Sequence, residues 1–223
     1  MADETTRKIV RSRRIGLRDI YIATVTQNDA ADYTTATPIK LGRALSAKIS
    51  DKFNSEKVYS DDNVEDIIES YEGSDIELSV NALAPDDFAN LYNNLYKDGY
   101  LLKSSGDVSQ EVAFGYRSKK RNGKYEFVWY YCGHFERPEE DLETLKEKFD
   151  SKTPTIKGTF YARTKEDIVT INGETARKNY YSITVHEDNL IAADTTAKAA
   201  IADWFGKVQE YTDPAAQTTG TQS

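Results

Sequence analysis

One stretch constrains the fold more than any other. Residues 111–136 read EVAFGYRS-KKRNGK-YEFVWYYCGHFE, two runs of β-branched and aromatic residues around Asn122 and Gly123. Asn-Gly between such runs is the strongest short hairpin signal, because a two-residue type I′ turn needs φ > 0 at both central positions. With Asn122 and Gly123 as those positions, Arg121 faces Lys124, Tyr116 falls opposite Trp129, Phe114 opposite Tyr131 and Val112 opposite Gly133. These residues then form one aromatic stripe, with Lys119 and Glu126 paired on the other face. The rival is a three-residue loop with a bulge, which shifts the register by one and sets Val128 opposite Tyr116.

The rest of the chain reads as further β-structure. Its 223 residues include 15 Tyr and 8 Phe against one Met, a composition that leans towards strands. Strands are expected at 16–25, 39–49, 74–82 and 153–162, with a second hairpin pairing 167–171 with 179–185. The stretch 74–82 is the clearest of them: Ile76, Leu78, Val80 and Ala82 alternate with polar neighbours. A helix is expected from Pro85 to Tyr96, since proline and two aspartates suit a helix N-terminus. A second runs from Asp194 to Gln209, with Ala197, Ala200, Ile201, Trp204, Phe205 and Val208 on its buried face. Gly99 and Gly106 bracket a turn region. Residues 137–149 are ambiguous: Leu142, Leu145 and Phe149 have helical spacing, but an extended reading stands beside it. The expected core comprises Phe114, Tyr116, Trp129, Tyr131, Trp204 and Phe205.

Charge divides the chain. Net charge is −8, but residues 51–75 carry nine acids and two bases, whereas residues 1–19 carry six bases and three acids. The expected organisation is a basic arm at 1–15, one β-domain at 16–210 and a free tail at 211–223. Within the domain, 51–73 is expected to be a long acidic loop, because it has no clean period and exceeds an ordinary connection. An acidic chain is a poor nucleic-acid binder, since such binding rests on neutralising phosphates. A single cysteine, Cys132, allows no internal disulfide. No apolar run reaches the length of a membrane helix, and no signal peptide is recognised, so the chain is expected to be made in the cytoplasm.

The search for catalytic chemistry finds little. Cys132 and His134 alternate onto one face, but two ligands are short of a tetrahedral metal site. The chain has no Gly-rich phosphate loop, no nucleophile elbow and no HExxH. Asp61, Asp62, Glu65 and Asp66 lack the spacing and the glycine of an EF-hand loop. No catalytic, cofactor or metal residue is expected. The charged groups with most to do are those acids and the bases Arg11, Arg13, Arg14, Lys119, Lys120 and Arg121, as candidates for contact between copies of the chain.

Several short pieces together resemble the major tail proteins of long non-contractile-tailed bacteriophages of Gram-positive bacteria. They are Gly16-Leu17-Arg18-Asp19-Ile20-Tyr21, Val58-Tyr59-Ser60-Asp61-Asp62, Ala113-Phe114-Gly115-Tyr116, Asn122-Gly123-Lys124-Tyr125 running into Val128-Trp129-Tyr130-Tyr131, and Pro138-Glu139-Glu140. Thr153-Pro154-Thr155-Ile156-Lys157-Gly158-Thr159 and Ala202-Asp203-Trp204-Phe205 complete them. Their order and spacing carry the resemblance, which covers about residues 16–206. The segments before Gly16 and after Val208 look longer than is usual, and their role is not carried over. The resemblance implies a mainly-β, tail-tube-like β-sandwich with a flanking α-helix and a C-terminal helix. It further implies hexameric rings stacked into a tube in the virion, with no cofactor and no catalysis. The implied partners are the protein itself, a tape-measure protein inside the tube, and the tail terminator and distal tail proteins at its ends. DNA would pass through the lumen without specific binding. The rival reading is a monomeric β-sandwich binding module displayed on a virion or cell.

Overall fold

Alternation of apolar and polar residues draws much of the chain into antiparallel strands in the computed structural model, which describes residues 9–60, 63–139, 153–171 and 173–213. In chain order the strands are β1 (Arg14–Asn28), β2 (Tyr33–Thr35), β3 (Ile39–Lys40), β4 (Ala44–Ser60) and β5 (Asn63–Val80). After α1 (Pro85–Tyr92) come β6 (Leu95–Lys97), β7 (Tyr100–Leu102), β8 (Val112–Lys120) and β9 (Tyr125–Phe135). The remainder are β10 (Thr155–Tyr161), β11 (Asp167–Ile171), β12 (Glu174–Lys178), β13 (Ser182–His186) and α2 (Thr195–Ala202). The expected mainly-β fold with two helices is therefore present.

The main sheet runs β2-β1-β8-β9-β10-β5-β4, with β3 beside β1 and β13 beside β9. Strand β9 is long enough to serve two neighbours on one side: residues 126–130 pair with β13 and residues 132–135 with β10. Alternation along β8 and β9 feeds two cores. Phe114, Tyr116, Val128 and Tyr130 join Ile20, Ile76, Leu78, Leu91, Tyr92, Phe135 and Phe160 on one side. Ala113, Phe127, Trp129 and Tyr131 join Tyr33, Cys132, Trp204 and Val208 on the other. Strands near both ends of the order, β1 and β5, contribute to the first core, so the sheet is curved around it.

The central hairpin corrects the expected register. Tyr116 faces Val128, Gly115 faces Trp129 and Phe114 faces Tyr130, so Tyr116 and Trp129 lie in different cores. The three-residue loop wins. The Lys120 carbonyl accepts from Gly123 N–H at 3.1 Å, the Lys124 carbonyl from Lys120 N–H at 2.8 Å, and Gly123 takes φ +84°. This is a type I turn closed by a glycine bulge. The Trp129 ring decides the register. A Cβ at residue 115 would stand 2.6 Å from it, so only glycine can face it. The expected pair of Val112 with Gly133 is present, because a second irregularity between Val112 and Phe114 restores the offset. The two-residue turn occurs instead at Asp98 and Gly99, both at positive φ (52° and 81°), where Lys97 faces Tyr100.

Other boundaries also move. The first helix stops at Tyr92, where Asn93 adopts φ +55° and ends it, rather than at Tyr96. The second spans Thr195–Ala202, not 194–209, and holds no fully buried residue. Its continuation turns into the sheet: the Trp204 carbonyl accepts from Trp129 Nε1 at 3.0 Å, and Trp204 is 2% exposed. Phe205 stays half-buried and stacks on Tyr21 at 4.3 Å. The partner of β11 is β12, not the segment 179–185, most of which lies in β13 against β9. Strand β1 begins at Arg14, inside the segment expected to be an arm. Asp213, in the expected tail, is buried, and its carboxylate accepts from Thr170 N–H at 2.7 Å. Leu142, Leu145 and Phe149 lie outside the described residues.

Candidate interaction surfaces

The expected acidic loop at 51–73 is not a loop. It is the outer part of the β4–β5 hairpin, a two-stranded ribbon whose partners run without a break from Lys52 opposite Gly73 to Ser60 opposite Asn63, with one bulge near each end. At ~3.3 Å per residue it reaches roughly 26 Å from Lys52 to Ser60. Residues 51–57 of β4 are all exposed, as are Glu69, Ser70 and Glu72 of β5. Where its side chains are described, neither face of the ribbon beyond Tyr71 is buried, so nothing there selects an apolar alternation. The ribbon is tied to the body at its base. Tyr71 stacks on Tyr181 at 4.0 Å, and its hydroxyl pairs with Ser74 Oγ at 2.8 Å. Burial, acting with the nearby Asp51 and Tyr181 against the Ser74 hydrogen bond, pushes the Tyr71 hydroxyl up to about 12. Phe53 meets Tyr71 edge-on at 5.5 Å yet remains 52% exposed.

Of the acids expected to make contacts between copies, Asp61 and Asp62 lie outside the described residues. Glu65 and Asp66 fall on β5 near the ribbon's far end, with Asp66 opposite Val58. The bases gather elsewhere, on one another's elements. The Arg13 carbonyl accepts from Arg121 N–H at 2.9 Å, and Ser12 Oγ accepts from Asn122 N–H at 3.2 Å. The N-terminal segment is thus laid against the tip of the β8–β9 hairpin.

Two of these bases are already engaged within the chain. Lys120 is buried, with Nζ 2.6 Å from Asp188 Oδ1 and 3.0 Å from His186 Nδ1. Arg14 reaches the buried Glu126 carboxylate, with Nε at 3.0 Å and a second bond through its terminal nitrogen. That hydrogen bond holds the Arg14 guanidinium above its ordinary value. Burial works to raise the Asp188 carboxyl, but hydrogen bonds from Lys120 and Asn122 outweigh it, and it sits below the usual range. Lys119 is half-buried, and only Arg11, Arg13 and Arg121 keep exposed side chains without such a carboxylate partner in hand. Of the carboxylates that hold these bases, Glu126 was expected opposite Lys119 and not at Arg14, and Asp188 carried no sequence signal. They are 112 and 68 positions away from their partners.

A second buried charge group was equally hidden. Arg163, with a fully buried side chain, pairs with Asp167 and with Glu210 (2.6 Å) and lies 4.2 Å over the Tyr131 ring. It locks the C-terminal segment to the sheet. Tyr131 and Tyr33 are pushed upward by burial, so both remain neutral hydroxyls, donating to the carbonyls of Gln209 and Tyr131. The Cys132 thiol is likewise buried and pushed up. His134 is exposed beside Tyr161. No metal-holding cluster of His, Cys, Asp or Glu occurs among the described residues.

The two ends of the sheet differ in what they expose. Strand β5 runs parallel to β9, with β10 between them: Phe135 faces Gly158, and Gly158 faces Ile76. Counting back from Phe135 to Tyr125 matches counting back from Ile76 to Asp66. The basic hairpin tip and the acidic ribbon therefore leave the same end of the body. At the opposite end, after Val80, stand α1 and the small β6–β7 hairpin, which exposes Leu95, Tyr100 and Leu102. Among the described residues β4 pairs only with β5, so its outer edge is a row of unpaired backbone groups. A search of protein-family models and of curated proteins returns no match for this chain.

Proposed function

We propose that this protein is a structural subunit that assembles with copies of itself into rings stacked as a bacteriophage tail tube, the conduit for DNA ejection. The β4–β5 ribbon carries the reading. A two-stranded ribbon has no core of its own and is marginal in water. One projecting roughly 26 Å, with its described side chains from 52 to 57 and at 69, 70 and 72 exposed, is suited to packing by a neighbour. The free outer edge of β4 adds a second surface, because unpaired strand edges are templates for another chain, and a closed ring of copies removes them. The acidity of the chain suits a conduit, since like charge keeps DNA from adhering. The sequence pieces that resemble tail proteins include part of this ribbon, Val58 to Asp62, and the central hairpin.

In this role the chain needs no catalytic group, and the surfaces above are its working parts. Partners beyond itself would be a tape-measure protein during assembly and terminator and distal proteins at the tube ends. The test is negative-stain microscopy of the purified protein across a concentration series, paired with size-exclusion chromatography. Rings or tubes are expected as concentration rises. A monomer at every concentration would overturn the proposal in favour of a displayed binding module.

A further inference from the structure

The β6–β7 hairpin has an outer face with no cover. Its register sets Leu95 opposite Leu102 and Lys97 opposite Tyr100, so these four side chains share one face. Leu95 and Leu102 are each 55% exposed and Tyr100 69% exposed. Three large apolar side chains adjoining on one small sheet face mark an interaction site rather than scattered surface residues. The face carries a single charge, Lys97, which is exposed.

The ribbon offers the matching set. Phe53 faces Tyr71, and Ser55 faces Glu69, on one ribbon face. That face therefore presents an exposed aromatic ring beside an exposed carboxylate, where the β6–β7 face presents apolar side chains beside an exposed ammonium. Within one copy the two surfaces lie at opposite ends. The ribbon leaves one end of β4 and β5, and the β6–β7 hairpin follows α1 at the end where β5 stops. One chain therefore cannot satisfy both of its own surfaces, whereas a second copy displaced along the strands can. Such a head-to-tail contact does not close on itself, so it repeats as a stack.

We propose that the ribbon of one copy docks, through Phe53 and Glu69, on the Leu95, Lys97, Tyr100 and Leu102 face of the next copy. This rests on the stacked-ring reading and names the receiving surface for it. It also places the receiver away from the basic hairpin tip. That tip shares an end of the body with the ribbon, and its Lys120 and Arg14 are already occupied.

The experiment is disulfide capture in the full chain. Phe53→Cys with Leu102→Cys, mixed or in one chain, leaves the buried Cys132 as a silent third thiol. Under mild oxidation the double variant is expected to give a ladder of covalent oligomers, the two single variants mixed to give covalent dimers, and each single variant alone to give no covalent product. In parallel, Lys97→Glu or Glu69→Lys alone should raise the concentration needed for assembly about tenfold, and the double exchange should restore it. Both residues are exposed, so circular dichroism should be unchanged in all three variants. Tubes from the wild type with no ladder from the cysteine pair, or no recovery in the exchange, overturn this contact and leave the stacked-ring reading standing. A wild type that never assembles, with no ladder, overturns both.

Discussion

Two hairpins of this chain have the same local architecture and opposite surroundings. Strands β8 and β9 are buried on both faces from Val112 to Tyr116 and from Glu126 to Cys132, between two aromatic cores. The outer parts of β4 and β5 are paired just as continuously but expose nearly every described side chain. Backbone pairing alone therefore does not separate structural from functional strands here. The central hairpin holds the fold together through side-chain burial. The ribbon contributes little to that burial and is free to differ in charge and shape, as a contact surface must. Substitutions in the first should be felt by the isolated chain, and those in the second only by the assembly proposed above.

The strongest test of that division is Trp129→Ala. Trp129 is fully buried, packs edge-on against Phe205 and donates to the Trp204 carbonyl. Losing the ring leaves a cavity and an unpaired carbonyl, and a loss of ~3–5 kcal/mol is expected in urea unfolding. A cost below ~1 kcal/mol would mean that the central hairpin is no more essential than the ribbon, and the comparison would collapse.

Lys120→Met should follow, at ~2–3 kcal/mol, because it leaves the buried Asp188 carboxylate without its cation. Here the pH dependence has a definite sign. The folded-state pKa of Asp188 is lowered, so its contribution is fully present above the unfolded value of ~3.9 and is lost as pH falls through the lower folded value. The stability gap between wild type and Lys120→Met is therefore expected to be largest near neutrality and to narrow below about pH 4. A gap that stays constant down to pH 2 would show that the pair contributes through packing alone.

Gly115→Ala probes the register itself. The added Cβ would meet the Trp129 ring at 2.6 Å, in a core with nowhere to move it. Overpacking of this kind costs ~1–3 kcal/mol. Gly123→Ala would strain a φ of +84° but meets no atom within 4 Å, so its cost comes from backbone conformation alone. Equal destabilisation by the two would mean that turn conformation, and not the facing Trp129 ring, fixes the pairing.

Much of the buried half of the molecule was legible in the sequence. The hairpin around Asn122 and Gly123, the alternation from Ile76 to Val80, and the start of α1 at Pro85 all follow from local chemistry. The register was not legible, because a two-residue and a three-residue turn differ by one position, and the facing Gly115 and Trp129 that decide it are 14 positions apart. The true two-residue turn at Asp98 and Gly99 carried its signal in plain sight, but between runs of only three residues. The ribbon defeated pattern reading for the opposite reason: period-2 alternation records burial of one face, and residues 52–57, 69, 70 and 72 are exposed on both. The ion pairs of Arg14 with Glu126, which pins the N-terminal segment, and of Lys120 with Asp188, which ties the segment after β13 to β8, join residues far apart in sequence and leave no local trace.

The smallest expected effect on the isolated chain is also the most informative. Phe53 and Tyr71 are direct partners, so residues 54–70 can be replaced by Asn-Gly to close the ribbon at its base. Tyr71 keeps its stack on Tyr181, and no member of either core is removed. Urea unfolding should give a stability within ~1 kcal/mol of wild type, since the excised side chains are solvent-facing where described. The closed variant should nonetheless stay monomeric at concentrations where the wild type assembles, as read by light scattering and microscopy. If it unfolds with the ease of Trp129→Ala, the ribbon is part of the fold and the two hairpins do not divide their labour. If it assembles as the wild type does, the contacts between copies run through the β4 edge alone, and the ribbon's length serves some other end.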